Sequence, residues 1–349
     1  AKVSNKNLSL PVLGCVVLSA TKDKAVLRAT NLDVSVEMVL KAKVATEGTV
    51  AVPAHVIAQT ITAFSDQRLT LELVGTTLVV QGERSKSSIA TVDASEFPTL
   101  PCVREGDGVS VKLPTHDIVA LIKSVTFAAS TSSMKPELSS VSLSLEGGEC
   151  IAAATDSFRL AEARMPVKAR ATFGPALIPA RNVGDITRCI ESSSEVELRV
   201  AENQCTLVTD AGFITSRTID GAFPVYHGLI PKEFMTSATA LREDVVRAFK
   251  KVSIFADTFN QVHIKVVPKS NRFTIQSSNT AVGATDEDIP ASVEGDELDI
   301  NFNAKYITDA LTTMAGDSVT FSIAGPGKPM VIEDSPKHGF LYLVMPMNR

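Results

Sequence analysis

Apolar residues in the segment "VAVPAHVIAQTITAF" (residues 50–64) fall at Ile57, Ile61 and Phe64, the i, i+4, i+7 spacing of one helix face. The same offsets return at Ile307, Leu311 and Met314 in "DINFNAKYITDALTTM" (299–314). In "ALIPARNVGDITRCI" (176–190) Val183 and Ile190 keep the outer positions, while Thr187 interrupts the centre and Ile186 beside it fills the stripe. Each segment reads as a strand running into a helix, and the aligned Ala54, Ala180 and Ala304 recur with a period of about 125 residues. After each helix comes a period-two stretch with turn residues in its middle ("RLTLELVGTTLVVQG", "EVELRVAENQCTLVTD", "SVTFSIAGPGKPMVIE"), which predicts a hairpin. Before each helix another such pair ends in "ATNLD", "ATDSF" or "SSNTA". A further helix opens the later copies, with stripes Ile118, Ile122, Val125 and Val245, Phe249, Val252.

The repeat is therefore helix, strands, helix, strands. The fold class is α+β: three tandem copies of a two-helix, antiparallel-sheet domain. Turn-rich polar segments at 101–108 and 230–240 divide it into domains 1–107, 108–236 and 237–349. The first copy lacks its opening helix, because "LSLPVLGCVVLSA" already reads as the following strand. Roughly 20 residues of strand and helix are expected upstream.

Composition narrows the function. With 44% apolar residues among 349, the chain can bury two or three cores. A net charge of -5 excludes a simple basic nucleic-acid binder, so any DNA contact has to come from a local arrangement of cations. The five cysteines form no Cys-x-x-Cys and read as free thiols. No apolar run reaches the ~18 residues of a membrane span and no signal-peptide pattern opens the chain, so a cytoplasmic protein with no membrane partner is expected. The sequence offers no catalytic constellation. "GPGKPM" (325–330) lacks the Gly spacing of a phosphate loop, the five histidines form no metal-ligand pair, and there is no Gly-x-Ser-x-Gly elbow. Asp156 in "ATDSFRL" reads as a strand-end turn shared with "ATNLD", not as a base. No cofactor and no metal are expected.

"LPVLG" (10–14), "ATDSFRLA" (154–161), "FPVY" (223–226) and the terminal "YLVMPM" (342–347), in that order on a threefold repeat, together resemble the beta sliding clamp family of bacterial DNA polymerase III. The resemblance implies a non-catalytic processivity factor. The chain would be half of a head-to-tail homodimeric ring that encircles double-stranded DNA without sequence preference and tethers the polymerase alpha subunit, the clamp-loader delta subunit and other clamp-binding-motif proteins. A repeat scaffold that binds peptides but not DNA is the alternative reading.

Carried over residue by residue, the resemblance implies a partner-peptide pocket at Leu138, Thr155, Ser157, Phe158, Arg159, Leu160, Pro224, Gly228, Leu229, Pro329, Leu343, Val344, Met345, Pro346 and Met347. The terminal strand would turn one face inward and one toward that pocket. On this view the chain could be cut after Leu341 with most of the fold kept. Here Ser157 stands where the family commonly has glycine, Phe158 where it has histidine, and Gly228 and Asn348 where it has arginines. The hydrophobic floor is kept and the charged rim is thinner. The DNA channel would use Lys6, His55, Lys123, Arg181, Arg188, Arg247, Lys250, Lys251 and Lys305. The dimer interface would use Ile89 on the edge segment 86–92 against Ile254 and Phe255.

Overall fold

The computed structural model describes residues 3–4, 10–335 and 339–347. The first repeat contains β1 (Cys15–Ala20), β2 (Ala25–Thr30), β3 (Val34–Leu40), β4 (Gly48–Pro53), α1 (Ala54–Ala63), β5 (Thr70–Val74), β6 (Thr77–Gln81) and β7 (Lys86–Ala90). The second runs β8 (Val109–Pro114), α2 (Thr115–Thr126), β9 (Ser140–Glu146), β10 (Glu149–Thr155), β11 (Arg159–Pro166), β12 (Phe173–Pro179), α3 (Ala180–Ile190), β13 (Glu195–Ala201), β14 (Gln204–Thr209) and β15 (Gly212–Arg217). The third runs β16 (Thr236–Leu241), α4 (Arg242–Val252), β17 (Gln261–Val267), β18 (Arg272–Asn279), β19 (Gly283–Ile289), β20 (Ala291–Gly295), β21 (Leu298–Asn303), α5 (Ala304–Leu311), β22 (Ser318–Ile323), β23 (Met330–Ser335) and β24 (Phe340–Val344).

The repeats do not fold as separate bodies, because their edge strands fuse. One sheet has the order β4-β1-β2-β3-β15-β14-β13-β8, and another β12-β9-β10-β11-β24-β23-β22-β16-β20. Strand β3 of the first repeat thus pairs antiparallel with β15 of the second, and β11 of the second with β24 of the third. The remaining strands form β19-β18-β17-β21 and β5-β6-β7. Two compact units result: Ala1–Val119 with Arg181–Thr218, and Ala120–Ala180 with Ile219–Arg349. Pairing an edge strand removes exposed N–H and C=O groups, so fusion covers edges that an isolated repeat would leave open.

The helix stripes set the core. Ile118, Ile122 and Val125 are at most 1% exposed, and Val245, Phe249 and Val252 are at 0%. In α4, Glu243 and Asp244 lie in the first turn and Lys250 and Lys251 in the last, charges that complement the helix dipole. Asn303 caps α5 by accepting the Tyr306 N–H at 3.2 Å. Both Ile186 and Thr187 of α3 are buried, so the stripe there is wider than its spacing predicts. The first repeat departs from expectation: α1 buries Ala54 and Ile57, but Ile61 is 43% exposed and Phe64 lies at the helix end. In the third repeat α4 and α5 pack together; among the described residues the first repeat has no second α-helix, only a 3-10 turn at Pro11–Gly14.

The strand-end turns repeat bond for bond. Asn31 Oδ1 accepts the N–H groups of Asp33 and Val34, as Asp156 Oδ1 accepts those of Phe158 and Arg159. Thr30 Oγ1 donates to the Val34 carbonyl and Thr155 Oγ1 to that of Arg159, at 2.8 and 2.6 Å. Leu32 and Ser157 occupy the left-handed region at φ 76° and 81°. Asp156 is thus a turn residue.

Candidate functional sites

The terminal run lies in the middle of a sheet. Strand β24 pairs Leu343 with Leu160 and Val344 with Arg159 on one side, and pairs with β23 on the other. Past the strand, Met345 N–H donates to the Phe158 carbonyl and Met347 N–H to that of Asn301, both at 2.8 Å. One face of this sheet carries a buried cluster of Ala153, Leu160, Leu177, Phe223, Tyr226, Val331 and Leu343, with Ile219, Ile230 and Leu341 against it. Around it the turn, the connector and the strand end leave apolar groups in solvent: Phe158 at 61%, Leu229 at 62% and Met345 at 37% exposure. Ser157, Pro224 and Gly228 are also exposed, Pro329, Pro346 and Met347 are partly so, and Leu138 and Thr155 are buried.

Two expected pocket residues lie on the opposite face. Successive strand residues alternate faces, so Val344 goes with Tyr342, whose hydroxyl donates to the Tyr306 carbonyl at 2.9 Å, and not with Leu343. Tyr342 and Val344 are fully buried on the inward face, while Leu343 and Leu341 belong to the cluster on the other face. Arg159, paired with Val344, is likewise buried. Its Nε donates to Asp156 at 3.0 Å and a terminal nitrogen to Asp309 at 2.8 Å, and the guanidinium lies 4.4 Å from the Tyr306 ring centre. Burial opposes its charge, but the Asp309 hydrogen bond and the neighbouring Tyr342 and Asp156 outweigh that, so its pKa lies above the ordinary value. Arg159 holds the turn from beneath and offers no charge to a ligand.

Glu162, Phe223 and Tyr226 extend the site beyond the residues read from sequence. Glu162, 4% exposed, accepts from the Tyr226 hydroxyl at 2.5 Å and from Arg164 Nε at 2.7 Å, pinning the connector onto the sheet. Burial and the Glu162 carboxylate push the Tyr226 hydroxyl well above its ordinary pKa, so it remains a donor. Phe223 meets Tyr226 edge to face at 6.0 Å. The sequence signal was available: Glu162 breaks the apolar alternation of β11, and Tyr226 closes "FPVY".

The candidate channel cations His55, Lys123, Arg181, Arg188, Arg247, Lys250, Lys251 and Lys305 are all exposed; Lys6 lies outside the described residues. Most have acidic partners. Arg181 pairs with Asp33 at 3.0 Å, Lys251 with Glu287 at 2.9 Å and Lys305 with Asp309 at 3.1 Å, while Arg188 pairs with Asp185 and Arg247 with Asp244. No group of three or more metal-ligating side chains occurs among the described residues, and no helix among them is long and apolar enough to cross a membrane.

Models of the N-terminal, central and C-terminal domains of the DNA polymerase III beta subunit match residues 1–101, 112–225 and 227–348. A beta sliding clamp of Caulobacter vibrioides is 30% identical, with 99% of this chain and 94% of that one covered. The chain belongs to the bacterial DNA polymerase III beta sliding clamp family. Among solved structures, the DNA polymerase III beta subunit of Thermotoga maritima matches with TM-score 0.94 at 23% identity, covering 100% of this chain and 95% of that one. The beta sliding clamp of C. crescentus matches with TM-score 0.90 at 27% identity, over 99% and 94%.

As a sliding clamp, the chain is a non-catalytic processivity factor that encircles DNA, dimerises and binds polymerase partners; the scaffold without DNA is set aside. Among the expected interface residues, Ile89 turns its side chain inward. Ile89 is 4% exposed and pairs across β6 with buried Leu78, so its side chain belongs to the core of its own repeat. Ile254 is 66% exposed and Phe255 partly buried.

Proposed function

We propose that the groove formed by the turn at 155–158, the connector at 224–229 and the strand end at 345–347 is the docking site for linear peptides of the polymerase alpha subunit, the clamp-loader delta subunit and other clamp-binding-motif proteins. The observation that carries this reading is the set of solvent-facing apolar groups, Phe158, Leu229 and Met345, bordering one buried floor. Leu160 and Leu343 supply that floor, and Arg159 and Val344 support it from the other face. Thioether and leucine side chains make an adaptable surface for leucine and phenylalanine anchors. Binding is on the order of micromolar, because a flexible segment has to be ordered. Fluorescence anisotropy with a labelled Gln-Leu-Asp-Leu-Phe peptide tests this: Leu229→Asp and Met345→Asp each weaken binding about tenfold or more, and unchanged affinity in both would refute it.

Duplex phosphates meet His55, Lys123, Arg181, Arg188, Arg247, Lys250, Lys251 and Lys305 without base readout, in a cytoplasmic protein of domains 1–107, 108–236 and 237–349. Ring closure follows the rule of the two internal junctions, where the last strand of one repeat joins the third strand of the preceding repeat's first meander: β15 on β3 and β24 on β11. The strands left over in those two classes are β7 and β19, each at the end of its sheet. They pair between two copies, with Ile254 and Phe255 beside the junction. Lys86 on β7 and Asp286 and Asp288 on β19 have opposite charge, which suits that pairing.

A further inference from the structure

The two large sheets share one strand order over eight strands, so each strand position beneath the peptide groove has a counterpart in the other unit. Pairing registers fix the equivalences. Glu162 sits beside Ala153 as Glu37 sits beside Arg28. Leu160, Leu343 and Val331 lie side by side as Ser35, Thr215 and Thr206 do. The β3–β15 junction thus keeps the backbone plan and exchanges an apolar floor for a polar one. Thr206 and Thr215 hydroxyls bond each other at 2.8 Å, and Thr206 takes the Val103 N–H at 3.0 Å, which ties the connector down.

Between that connector and the sheet lies a cleft of about 680 Å³, within the range of ligand sites. Its lining includes Arg28, Glu37, Phe97, Cys102, Arg104 and Phe213. Arg28 gives only its Nε to Glu37, at 2.7 Å, and its terminal nitrogens make no bond to a described residue; the Arg104 side chain makes none at all. Two guanidinium groups against one carboxylate leave the lining net positive in a chain of net charge -5. Along the connector the N–H groups of Thr99, Leu100 and Cys102 also donate to no described residue. Unused main-chain donors on a connector call for main-chain carbonyls. Glu37 in the same lining disfavours a phosphate-dense ligand.

We propose that this cleft is a second docking groove, selective for an extended acidic peptide segment of a partner protein. Carboxylates of the segment meet Arg28 and Arg104, its carbonyls take the N–H groups of Thr99 and Leu100, and an apolar side chain enters between Phe97 and Phe213. The inference stands apart from the reading of the Leu229 and Met345 groove, because none of its residues is shared.

The test selects a random heptapeptide display library on the whole chain in the presence of excess Gln-Leu-Asp-Leu-Phe peptide. Expected are Asp- or Glu-rich sequences containing an apolar residue. They should lose tenfold or more in affinity on Arg104→Glu, an exposed position where folding is not at stake, and on Arg28→Gln, and they should slow alkylation of Cys102. Arg104→Glu leaves binding of the pentapeptide unchanged. Failure to enrich any such sequence over the Arg104→Glu chain, equal binding to both chains, or displacement of every selected peptide by the pentapeptide would overturn the proposal. If the pentapeptide itself does not bind, the reading of the first groove fails while the comparison of wild type with Arg104→Glu still decides this one.

Discussion

Replacing Arg159 with methionine keeps the aliphatic stem and deletes the charge beneath the proposed peptide groove. The wild-type side chain is 9% exposed, between Asp156 at 13% and Asp309 at 24%. Breaking a buried pair costs about 3–5 kcal/mol, because the remaining charge is stranded. Here the stranded charges are partly relieved. Asp156 Oδ1 still accepts two main-chain N–H groups at 2.9 and 3.0 Å, and Asp309 keeps Lys305 at 3.1 Å. Against that relief, cation–π contacts to Tyr306 and Phe127, worth roughly 0.5–2 kcal/mol each, are also lost. The net expectation is about 3 kcal/mol, a urea midpoint lower by on the order of 1 M. The chain has no tryptophan, and its three tyrosines, Tyr226, Tyr306 and Tyr342, all lie in the unit that holds Arg159, so tyrosine fluorescence reads that unit alone. Asp309→Asn completes a double-mutant cycle, with a coupling of at least about 1 kcal/mol expected. A cost below about 1 kcal/mol, or no coupling with Asp309, would refute the view that this ion network holds the turn.

Cutting the chain after Leu341 removes Tyr342, Leu343 and Val344, all buried between β11 and β23, so circular dichroism should show loss of the folded unit; cooperative unfolding with selective loss of peptide binding would restore the earlier expectation. Thr91 N–H donates to the Thr76 carbonyl and Gly82 N–H to the Ser85 carbonyl at the two ends of the β6–β7 hairpin, and this register turns the Ser88 N–H to the open edge; Ser88→Pro should shift the dimer toward monomer in sedimentation with the fold intact. Hydrogen bonds from Thr274 and then Arg272 hold the Asp288 carboxyl below its ordinary pKa. The stability this gives is present above about pH 4, the unfolded value, and is lost as pH falls through the folded one. Asp288→Asn should therefore flatten the acid limb of a urea-midpoint titration, and an unchanged limb would count against the assignment.

Periodicity located the helices and hairpins because burial there is nearly complete: Ile118, Ile122, Val245 and Phe249 each have a whole face covered. It failed at Ile61, since a stripe says which face is apolar and not what lies over it. The same limit explains the misplaced site residues. In "YLVMPM" and "FRLAE" both faces of a strand are apolar or covered, so alternation alone could not tell that Leu343 and Leu160 look toward the groove while Val344 and Arg159 look away. The i, i+3 and i, i+4 pairs of Arg188, Arg247 and Lys305 were legible in the helices. The pairing of Arg181 with Asp33, 148 positions away, was not, because only the fused sheets bring them together.

Those pairs bear on how an acidic chain can hold DNA and still slide. On the proposed DNA channel, a phosphate that meets Arg181, Arg188 or Arg247 replaces Asp33, Asp185 or Asp244 as the arginine's partner. Exposed pairs of this kind are worth about 0–1 kcal/mol, so the exchange is nearly neutral in either direction. A cation already matched by a carboxylate also releases less of the DNA counterion atmosphere, which makes direct binding weak and its salt dependence shallower than the number of cations implies. Retention then has to come from the closed ring, while local attraction stays too small to arrest movement. Asp33→Asn with Asp185→Asn separates the two contributions. The freed arginines should tighten binding to linear duplex and steepen its salt dependence, yet leave the lifetime of the loaded clamp on closed circular DNA at high salt unchanged. If that lifetime instead rises with direct affinity, electrostatic grip and not topology holds the clamp on its template.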